Sequence, residues 1–250
     1  MHVFLDLWGV LLDSDRMQME YGRELARQMA ARFGGSEERW LRAHTAAWTE
    51  YVRGTESADF IGRPWSETVD RLDAQFAARI LESSGVAWRP SDPVAFSREL
   101  DVNVMSQIDA RFPDARIAVE RLRTSGHKVY VATQATESNA RGALTGAGLL
   151  GSIDGLFTGS SQDSPKSRGE YWARIRQTLD LSDERGVAVD DRLDYLEAAA
   201  SIGFLGLLLD REEIFASEPL PRYIRATLRN LAGLPHYIET LASEADRATG

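Results

Sequence analysis

Residues 2–10, HVFLDLWGV, decide the fold. Positions 2–8 form a largely apolar run that is rich in strand-forming residues and contains one acid, Asp6. Such a run predicts a strand buried on both faces, which is typical of parallel sheets covered by helices. The rest of the chain should therefore alternate strands with helices of ten or so residues.

The segment 15–110 departs from this alternation, because its apolar residues recur at helical spacing. Apolar side chains recur every fourth residue from Met17 to Phe33, and a second such face runs from Trp40 to Val52. Further helices are predicted at about 65–84 and 93–108, with no strand between residues 15 and 110. We therefore interpret 15–110 as an all-helical cap domain inserted after the first strand.

The expected alternation of strands and helices returns after residue 110. Strands are predicted at 129–132, 155–158, 187–189 and 204–209, and helices at 113–123, 137–147, 170–179, 195–202, 220–231 and 234–245. This order predicts an α/β fold: a Rossmann-like parallel sheet flanked by helices, formed by a core domain of residues 1–14 and 111–250.

Composition excludes several classes of function. The net charge is −9 and no run of Lys and Arg forms, which argues against nucleic-acid binding. The longest apolar runs fall far short of the roughly 20 residues that a membrane-spanning helix needs. The absence of cysteine excludes disulfides and thiolate metal sites. The start of the sequence lacks the pattern of a signal peptide, which predicts a cytoplasmic protein. The sequence makes no prediction of oligomeric state.

Polar side chains follow several predicted strands at the point where each strand ends. Each of them alone is compatible with a turn, a helix cap or a solvated loop. Two adjacent acids after an apolar strand, however, cost stability unless a cation or hydrogen-bond donors compensate them. Ligands bind at the carboxyl ends of the strands in such sheets, so the set predicts a site. Its members are Asp6, Thr133, Gln134, Asp190, Asp191 and Asp194, with Lys166 just ahead of a helix.

These residues resemble the four motifs of the haloacid dehalogenase superfamily. Residues 6–10, DLWGV, are similar to its first motif, Asp-x-Asp-Gly-Thr/Val. Thr133 matches the second motif and Lys166 the third, and the acids within 190–194 match the fourth. The resemblance spans essentially the whole chain, including a helical cap of the C1 type. It implies a hydrolase with a Rossmann-like core.

The resemblance also implies a role for each motif residue. Asp6 would be the nucleophile that forms an aspartyl intermediate, with Thr133 donating a hydrogen bond and Lys166 supplying positive charge. Mg²⁺ would be the cofactor, and the substrate would be a small anionic metabolite. The implied magnesium ligands are Asp6, the backbone carbonyl of Trp8, Asp190, Asp191 and Asp194, and the implied substrate-binding residues are Trp8, Gly9 and Gln134.

The first motif departs from the phosphatase pattern at two positions. Trp8 replaces the second Asp, the general acid–base residue, and Val10 replaces the Thr. Indole cannot relay a proton, and such proton transfer is worth about 10² to 10⁴ in rate. Three hypotheses therefore stay open: a magnesium-dependent phosphatase, a metal-independent 2-haloacid dehalogenase whose leaving halide needs no proton, and a binding protein with little turnover.

Overall fold

The computed structural model describes residues 1–56, 64–181, 186–217 and 219–249. Within these ranges, six strands form one parallel sheet in the order β3-β2-β1-β4-β5-β6. The strands are β1 (His2–Leu5), β2 (Lys128–Thr133), β3 (Gly155–Thr158), β4 (Gly186–Asp190), β5 (Leu205–Leu209) and β6 (Ile224–Leu228). The first strand therefore lies in the middle of the sheet, as expected for a strand without polar faces.

Helices occupy most of the remaining described chain. They are α1 (Ser14–Phe33), α2 (Glu37–Glu56), α3 (Trp65–Ser83), α4 (Pro93–Met105), α5 (Ala115–Thr124), α6 (Glu137–Gly146), α7 (Gly159–Gln162), α8 (Gly169–Thr178), α9 (Leu193–Ser201) and α10 (Leu234–Thr249). Short 3₁₀ helices cover Leu150–Ser152 and Leu231–Gly233. The predicted α/β class with a Rossmann-like parallel sheet is confirmed. No described helix combines the length and the apolar character that crossing a membrane requires.

The chain divides into two compact units. One contains the sheet and comprises Met1–Asp13, Arg111–Gln134 and Leu149–Gly250. The other is helical and comprises Ser14–Ala110 and Ala135–Gly148. The predicted assignment of residues 1–14 and 111–250 as a core domain and of 15–110 as a cap domain stays a prediction.

An aromatic cluster fills part of the sheet-containing unit. Phe4 of β1 stacks on Tyr130 of β2 with ring centroids 4.9 Å apart, and it meets Phe204 edge-on at 5.3 Å. Trp172 of α8 lies 5.1 Å from Phe204, and all four side chains are buried. Because aromatic rings bury large areas and prefer such offset and edge contacts, they fix α8 against the sheet. This contact matters because α8 begins directly after the loop that carries Lys166.

The helical unit includes α6 because two glycines allow a close approach. A Cβ atom on Gly146 would lie 2.2 Å from the carbonyl oxygen of Ile108, and one on Gly142 would lie 3.0 Å from that of Asp101. Any larger side chain at Gly146 would force the segments apart, since real Cβ contacts are longer. The segment that follows β2 is thereby joined to α4 and its C-terminal extension.

The prediction of a helix at 220–231 is wrong, because the structure places strand β6 at Ile224–Leu228. Partly buried Ile224, Ala226 and Leu228 alternate with exposed Arg225 and Thr227. This period of two is that of a strand at the edge of a sheet, where one face stays accessible to solvent. The helix predicted at 234–245 is confirmed by α10, and the strand predicted at 2–8 is shorter, ending at Leu5.

Candidate active site

Two of the predicted acids lie side by side because their strands are neighbours. β1 and β4 pair with Leu5 opposite Val189, so Asp6 and Asp190 are the next residues on adjacent strands. The Asp6 backbone N–H continues the pairing by donating to the Val189 carbonyl at 2.9 Å. Both side chains are buried, with 5% of Asp6 and 1% of Asp190 exposed. The carboxyl ends of two central strands thus bring two carboxylates together.

Lys166 lies between these two carboxylates. Its ammonium Nζ is 2.6 Å from Oδ1 of Asp6 and 2.5 Å from Oδ2 of Asp190, and it also donates to the Ala132 carbonyl. The side chain is completely buried. A buried ammonium is tolerated only when it is paired and hydrogen-bonded, and here it donates hydrogen bonds to Asp6 and Ala132 and forms an ion pair with Asp190. The site therefore contains a preorganised positive charge.

Neighbouring side chains hold Lys166 in this position. Its backbone N–H donates to the side-chain Oε1 of Gln134 at 2.5 Å, and its carbonyl accepts from the indole Nε1 of Trp172 at 3.1 Å. The rings of Trp172 and Tyr195 flank the ammonium, with centroids 5.9 and 5.1 Å from Nζ. Gln134, predicted to bind substrate, thus orients the lysine backbone in this structure. Sequence reasoning missed Trp172 and Tyr195 because only the fold brings them to Lys166.

Thr133 is the last residue of β2 and is completely buried. β2 pairs with β1 on the side opposite to β4, with Val131 opposite Leu5. The Tyr171 hydroxyl donates to the carbonyls of Thr133 and Phe157, at 3.2 and 2.8 Å, and so bridges the ends of β2 and β3. The predicted hydrogen-bonding residue therefore ends a strand that directly neighbours the Asp6 strand.

The turn after Asp6 closes on itself. The amides of Leu11 and Leu12 donate to the Leu7 carbonyl at 3.2 and 2.8 Å, and the Gly9 amide donates to the Leu12 carbonyl at 2.9 Å. Gly9 has a φ of +77°, and a Cβ atom there would lie 2.0 Å from Oδ2 of Asp191. Only glycine accepts both this backbone conformation and this approach. The half-buried Trp8 precedes it in the same turn.

We expect Gly9→Ala to disrupt the site far more than Gly34→Ala does. Both glycines have a φ of +77°, but a Cβ on Gly34 meets nothing within 4 Å. The left-handed conformation costs about 1 to 2 kcal/mol in each variant, so the difference between them reports the clash with Asp191. Thermal unfolding and turnover of the two variants measure this difference. Equal losses of stability together with equal turnover would contradict the close approach.

Three of the four predicted acids form one group. Ligand oxygens of Asp6, Asp190 and Asp191 all lie within 4.8 Å of one another, the only such group found among the described residues. The Asp194 carboxylate instead accepts two hydrogen bonds from the Arg192 guanidinium, at 2.9 and 3.0 Å. The structure thus assembles the predicted carboxylates except that of Asp194.

The carboxylate group carries more negative charge than the protein neutralises. When all three carboxylates are ionised, their charge exceeds that of the one ammonium by two. Burial raises the pKa of Asp6 to about 7, and repulsion from Asp190 and Asp191 adds to this although Lys166 opposes it. Burial likewise raises the pKa of Asp191 to about 6, together with the charge of Asp190. Burial lowers the pKa of Lys166, but Asp190 and Asp6 outweigh it and hold the pKa above its ordinary value.

Oxygen ligands in this arrangement suit a hard divalent cation. Magnesium prefers carboxylate oxygens and keeps several waters, and a charge of +2 would balance the excess on the three acids. Burial first, and repulsion between the acids second, raises the pKa values of Asp6 and Asp191, and a bound cation would favour the ionised form of both. The residues present therefore fit a magnesium ion.

A parallel α/β sheet with its charged groups at the carboxyl ends of the central strands is the architecture of a Rossmann-like enzyme. Comparison with protein families identifies which one. The chain belongs to the haloacid dehalogenase-like hydrolases, because the model of that family matches residues 1–203. A search of curated proteins returned no match.

Several solved structures share this fold. A HAD phosphatase from Thermococcus onnurineus is 17% identical and aligns over 95% of this chain and 97% of its own, with a TM-score of 0.62. An L-2-haloacid dehalogenase from Xanthobacter autotrophicus, with chloropropionic acid covalently bound, is 15% identical over 95% and 98% of the two chains, with a TM-score of 0.54. YfnB from Bacillus subtilis, bound to magnesium, is 14% identical over 95% and 98%, with a TM-score of 0.59.

Proposed function

We propose that this chain hydrolyses small phosphorylated metabolites in a magnesium-dependent reaction that passes through an aspartyl intermediate on Asp6. The observation that carries the proposal is the excess negative charge of Asp6, Asp190 and Asp191 around Lys166. A metal-independent reaction gives no reason to place a third carboxylate in this group. The likeness to a phosphatase and to a magnesium-bound structure supports the same choice.

The carboxylates of Asp6, Asp190 and Asp191 would hold the metal, with the backbone carbonyl of Trp8 as a further ligand. Bound magnesium supplies positive charge that stabilises negative charge developing on the transferred group. Asp194 takes no direct part in this proposal, because its carboxylate is engaged by Arg192.

The chain's own residues would carry the two chemical steps. In the first, a carboxylate oxygen of Asp6 attacks phosphorus, and the bond from phosphorus to the leaving oxygen breaks. Lys166 and the Thr133 hydroxyl would stabilise the negative charge on the phosphoryl oxygens. In the second, water attacks the aspartyl phosphate, releasing phosphate and restoring Asp6. The proton lost by this water balances the one gained by the leaving oxygen.

Trp8 decides which substrates are favoured. Because indole cannot protonate the leaving oxygen, solvent must do so, and a substrate whose leaving group is already a stable anion loses little. We therefore propose that activated phosphate esters or acyl phosphates are turned over faster than simple alkyl phosphates.

The same residue favours the second candidate, a 2-haloacid dehalogenase. Halide leaves as a stable anion without a proton, so a tryptophan at this position would cost that reaction nothing. The likeness to the Xanthobacter enzyme supports this candidate at the level of the fold. A third candidate, a binding protein with little turnover, also follows from the absent acid.

The test is a substrate panel scored for released phosphate and for released halide, with magnesium and with a chelator. Asp6→Asn supplies the background, and Asp15→Asn, which changes an exposed acid on α1, is the matched control. We expect phosphate release that needs magnesium, vanishes in Asp6→Asn and persists in Asp15→Asn. Halide release without metal would establish the dehalogenase, whereas tight ligand binding without product would favour the binding protein.

A further inference from the structure

Arg211, in the loop after β5, contacts the turn that follows Asp6. Its guanidinium donates to the Gly9 carbonyl from Nε at 3.2 Å and to the Val10 carbonyl from Nη2 at 2.8 Å. It also forms a two-pronged ion pair with Asp114, with both N–O distances 3.1 Å, and lies 3.8 Å from the centroid of the Phe112 ring. The Arg211 side chain thus connects its own loop to two other segments of the sheet-containing unit, residues 9–10 and 112–114.

The turn depends on this side chain for two of its carbonyls. Hydrogen bonds within the turn use the carbonyls of Leu7 and Leu12, and the Leu11 carbonyl accepts from the amide of Phe112. The carbonyls of Gly9 and Val10 accept none of these backbone hydrogen bonds, and within the described chain Arg211 is the donor to both. Partly buried carbonyls that lose their donor cost free energy, so the turn would shift to find water if Arg211 were absent.

Other residues of the protein fix the position of the Arg211 guanidinium. The carboxylate of Asp210 accepts from the amides of Ile214 and Phe215 at 2.8 and 2.9 Å, which fixes the loop on the residue next to Arg211. Asp114 accepts, besides the arginine, the amide of Leu231 at 2.7 Å. The ion pair is largely buried, with 18% and 17% of the two side chains exposed. The planar guanidinium of arginine can donate to the two turn carbonyls and to both oxygens of Asp114 at once, and the single ammonium of lysine cannot.

The turn therefore lies between two fixed groups. Arg211 holds its carbonyls on one side, while the α-carbon of Gly9 lies against the Asp191 carboxylate on the other. A displacement of the turn would move the backbone of Trp8 relative to Asp6 and Asp191. The geometry points to Arg211 as a positioning residue: it sets the Trp8–Val10 turn against the carboxylate group. Its consequence for turnover rests on the proposed hydrolase function, whereas its effect on the turn does not.

Amide hydrogen exchange of the full chain tests this directly. We expect Arg211→Lys and Arg211→Gln to speed exchange of the Gly9, Leu11 and Leu12 amides by about 10-fold or more, while strand β4 keeps its protection. The matched control is Arg225→Gln, which removes an exposed ion pair with Glu244, 3.5 Å long, from the same C-terminal region but outside the Arg211 loop. This control should leave exchange in the turn unchanged.

Turnover supplies the second measurement. A positioning role predicts that Arg211→Lys lowers kcat by about 10-fold or more with little change in KM, and that lysine does not rescue the glutamine variant. Unchanged exchange in the turn, or exchange that rises equally in every segment, would overturn the proposal. If the wild-type chain is inactive on the whole panel, the proposed function fails, but the exchange measurement still decides the role of Arg211.

Discussion

Replacing Lys166 by methionine is expected to lower the melting temperature by about 10 °C and turnover by at least about 100-fold. The substitution removes the cation and leaves Asp6 and Asp190 facing each other inside the protein. Removing one partner of a buried ion pair typically costs about 3 to 5 kcal/mol, and in a chain of this length each kcal/mol shifts the midpoint by about 2 to 4 °C. Loss of one preorganised charge from such a site costs about 10² to 10³ in rate.

The sequence provides its own control, because it contains one other lysine. Lys128 is 59% exposed at the side chain and pairs with Asp154 at 3.1 Å. Exposed pairs of this kind are worth at most about 1 kcal/mol, so Lys128→Met should change the melting temperature by no more than a few degrees. Differential scanning calorimetry of both variants measures the contrast, and equal shifts would mean that the buried pairing contributes nothing.

Magnesium adds a second comparison to the same experiment. The Lys166 variant has three carboxylates in this group and no ammonium, so the cation should stabilise it more than it stabilises the wild type. Absence of a magnesium-induced rise in melting temperature from both proteins would contradict the proposed metal site, and an equal rise in both would contradict its electrostatic coupling to Lys166.

Much of the candidate site could be predicted from the sequence because each strand carries its functional residue at its end. Chain order alone indicates that Asp6, Thr133 and Asp190 share one edge of a parallel sheet. Sequence spacing could not show whether Asp191 or Asp194 joins the carboxylate group, since both follow Asp190 closely. Their environments differ only in three dimensions, where Arg192 engages Asp194 while Asp191 lies against Gly9.

The contacts that hold the site were missed because they join residues that are distant in the sequence. Arg211 lies about 200 residues from the carbonyls to which it donates, and no periodic pattern in the sequence marks it. Similarly, the alternation of partly buried and exposed residues in Ile224–Leu228 covers only five positions. A sequence window that also includes the flanking residues therefore predicts a helix. Edge strands have weak signals because only one of their faces must be apolar.

A second large effect is expected in the helical unit, where Asp101→Asn should stabilise the protein at pH 8 and have almost no effect at pH 4. Burial raises the pKa of Asp101 to about 7, which the hydrogen bond from Tyr21 and that from Asn139 lower only in part. The Tyr21 hydroxyl donates to this carboxylate at 2.8 Å. Asp101 therefore lies in the folded chain with neutral hydrogen-bond donors and no ion pair among the described residues.

The sign of the effect follows from proton binding. Between the ordinary pKa of 3.8 and the folded value of about 7, the folded state binds more protons at this site than the unfolded state does. Stability therefore falls as the pH rises through this range. The full penalty is at most about 4 kcal/mol, from about three units at 1.36 kcal/mol each. The Asp101→Asn variant avoids this penalty because an amide does not ionise.

The wild-type profile alone cannot isolate this contribution, because other buried groups titrate in the same range. Burial raises the pKa of Asp73 to about 6, and burial lowers the pKa of His44 to about 4. The lowered histidine acts in the opposite direction, since its folded state binds fewer protons and stability falls as the pH falls from 6.5 to 4. Arg98, near Asp101, also pairs with Asp73 at 3.3 Å. The informative quantity is therefore the difference between variant and wild type at each pH.

That difference should be close to zero below pH 4, grow between pH 4 and 7, and stay constant above pH 7. Urea unfolding at one-unit intervals of pH measures it, with Glu99→Gln as the matched control, since Glu99 lies two residues away on α4 and is exposed. The control should give a small, nearly flat difference, because exposed ion pairs contribute little to stability. A flat difference for Asp101→Asn, or one that grows toward low pH, would mean that Asp101 is ionised at little cost inside the helical unit.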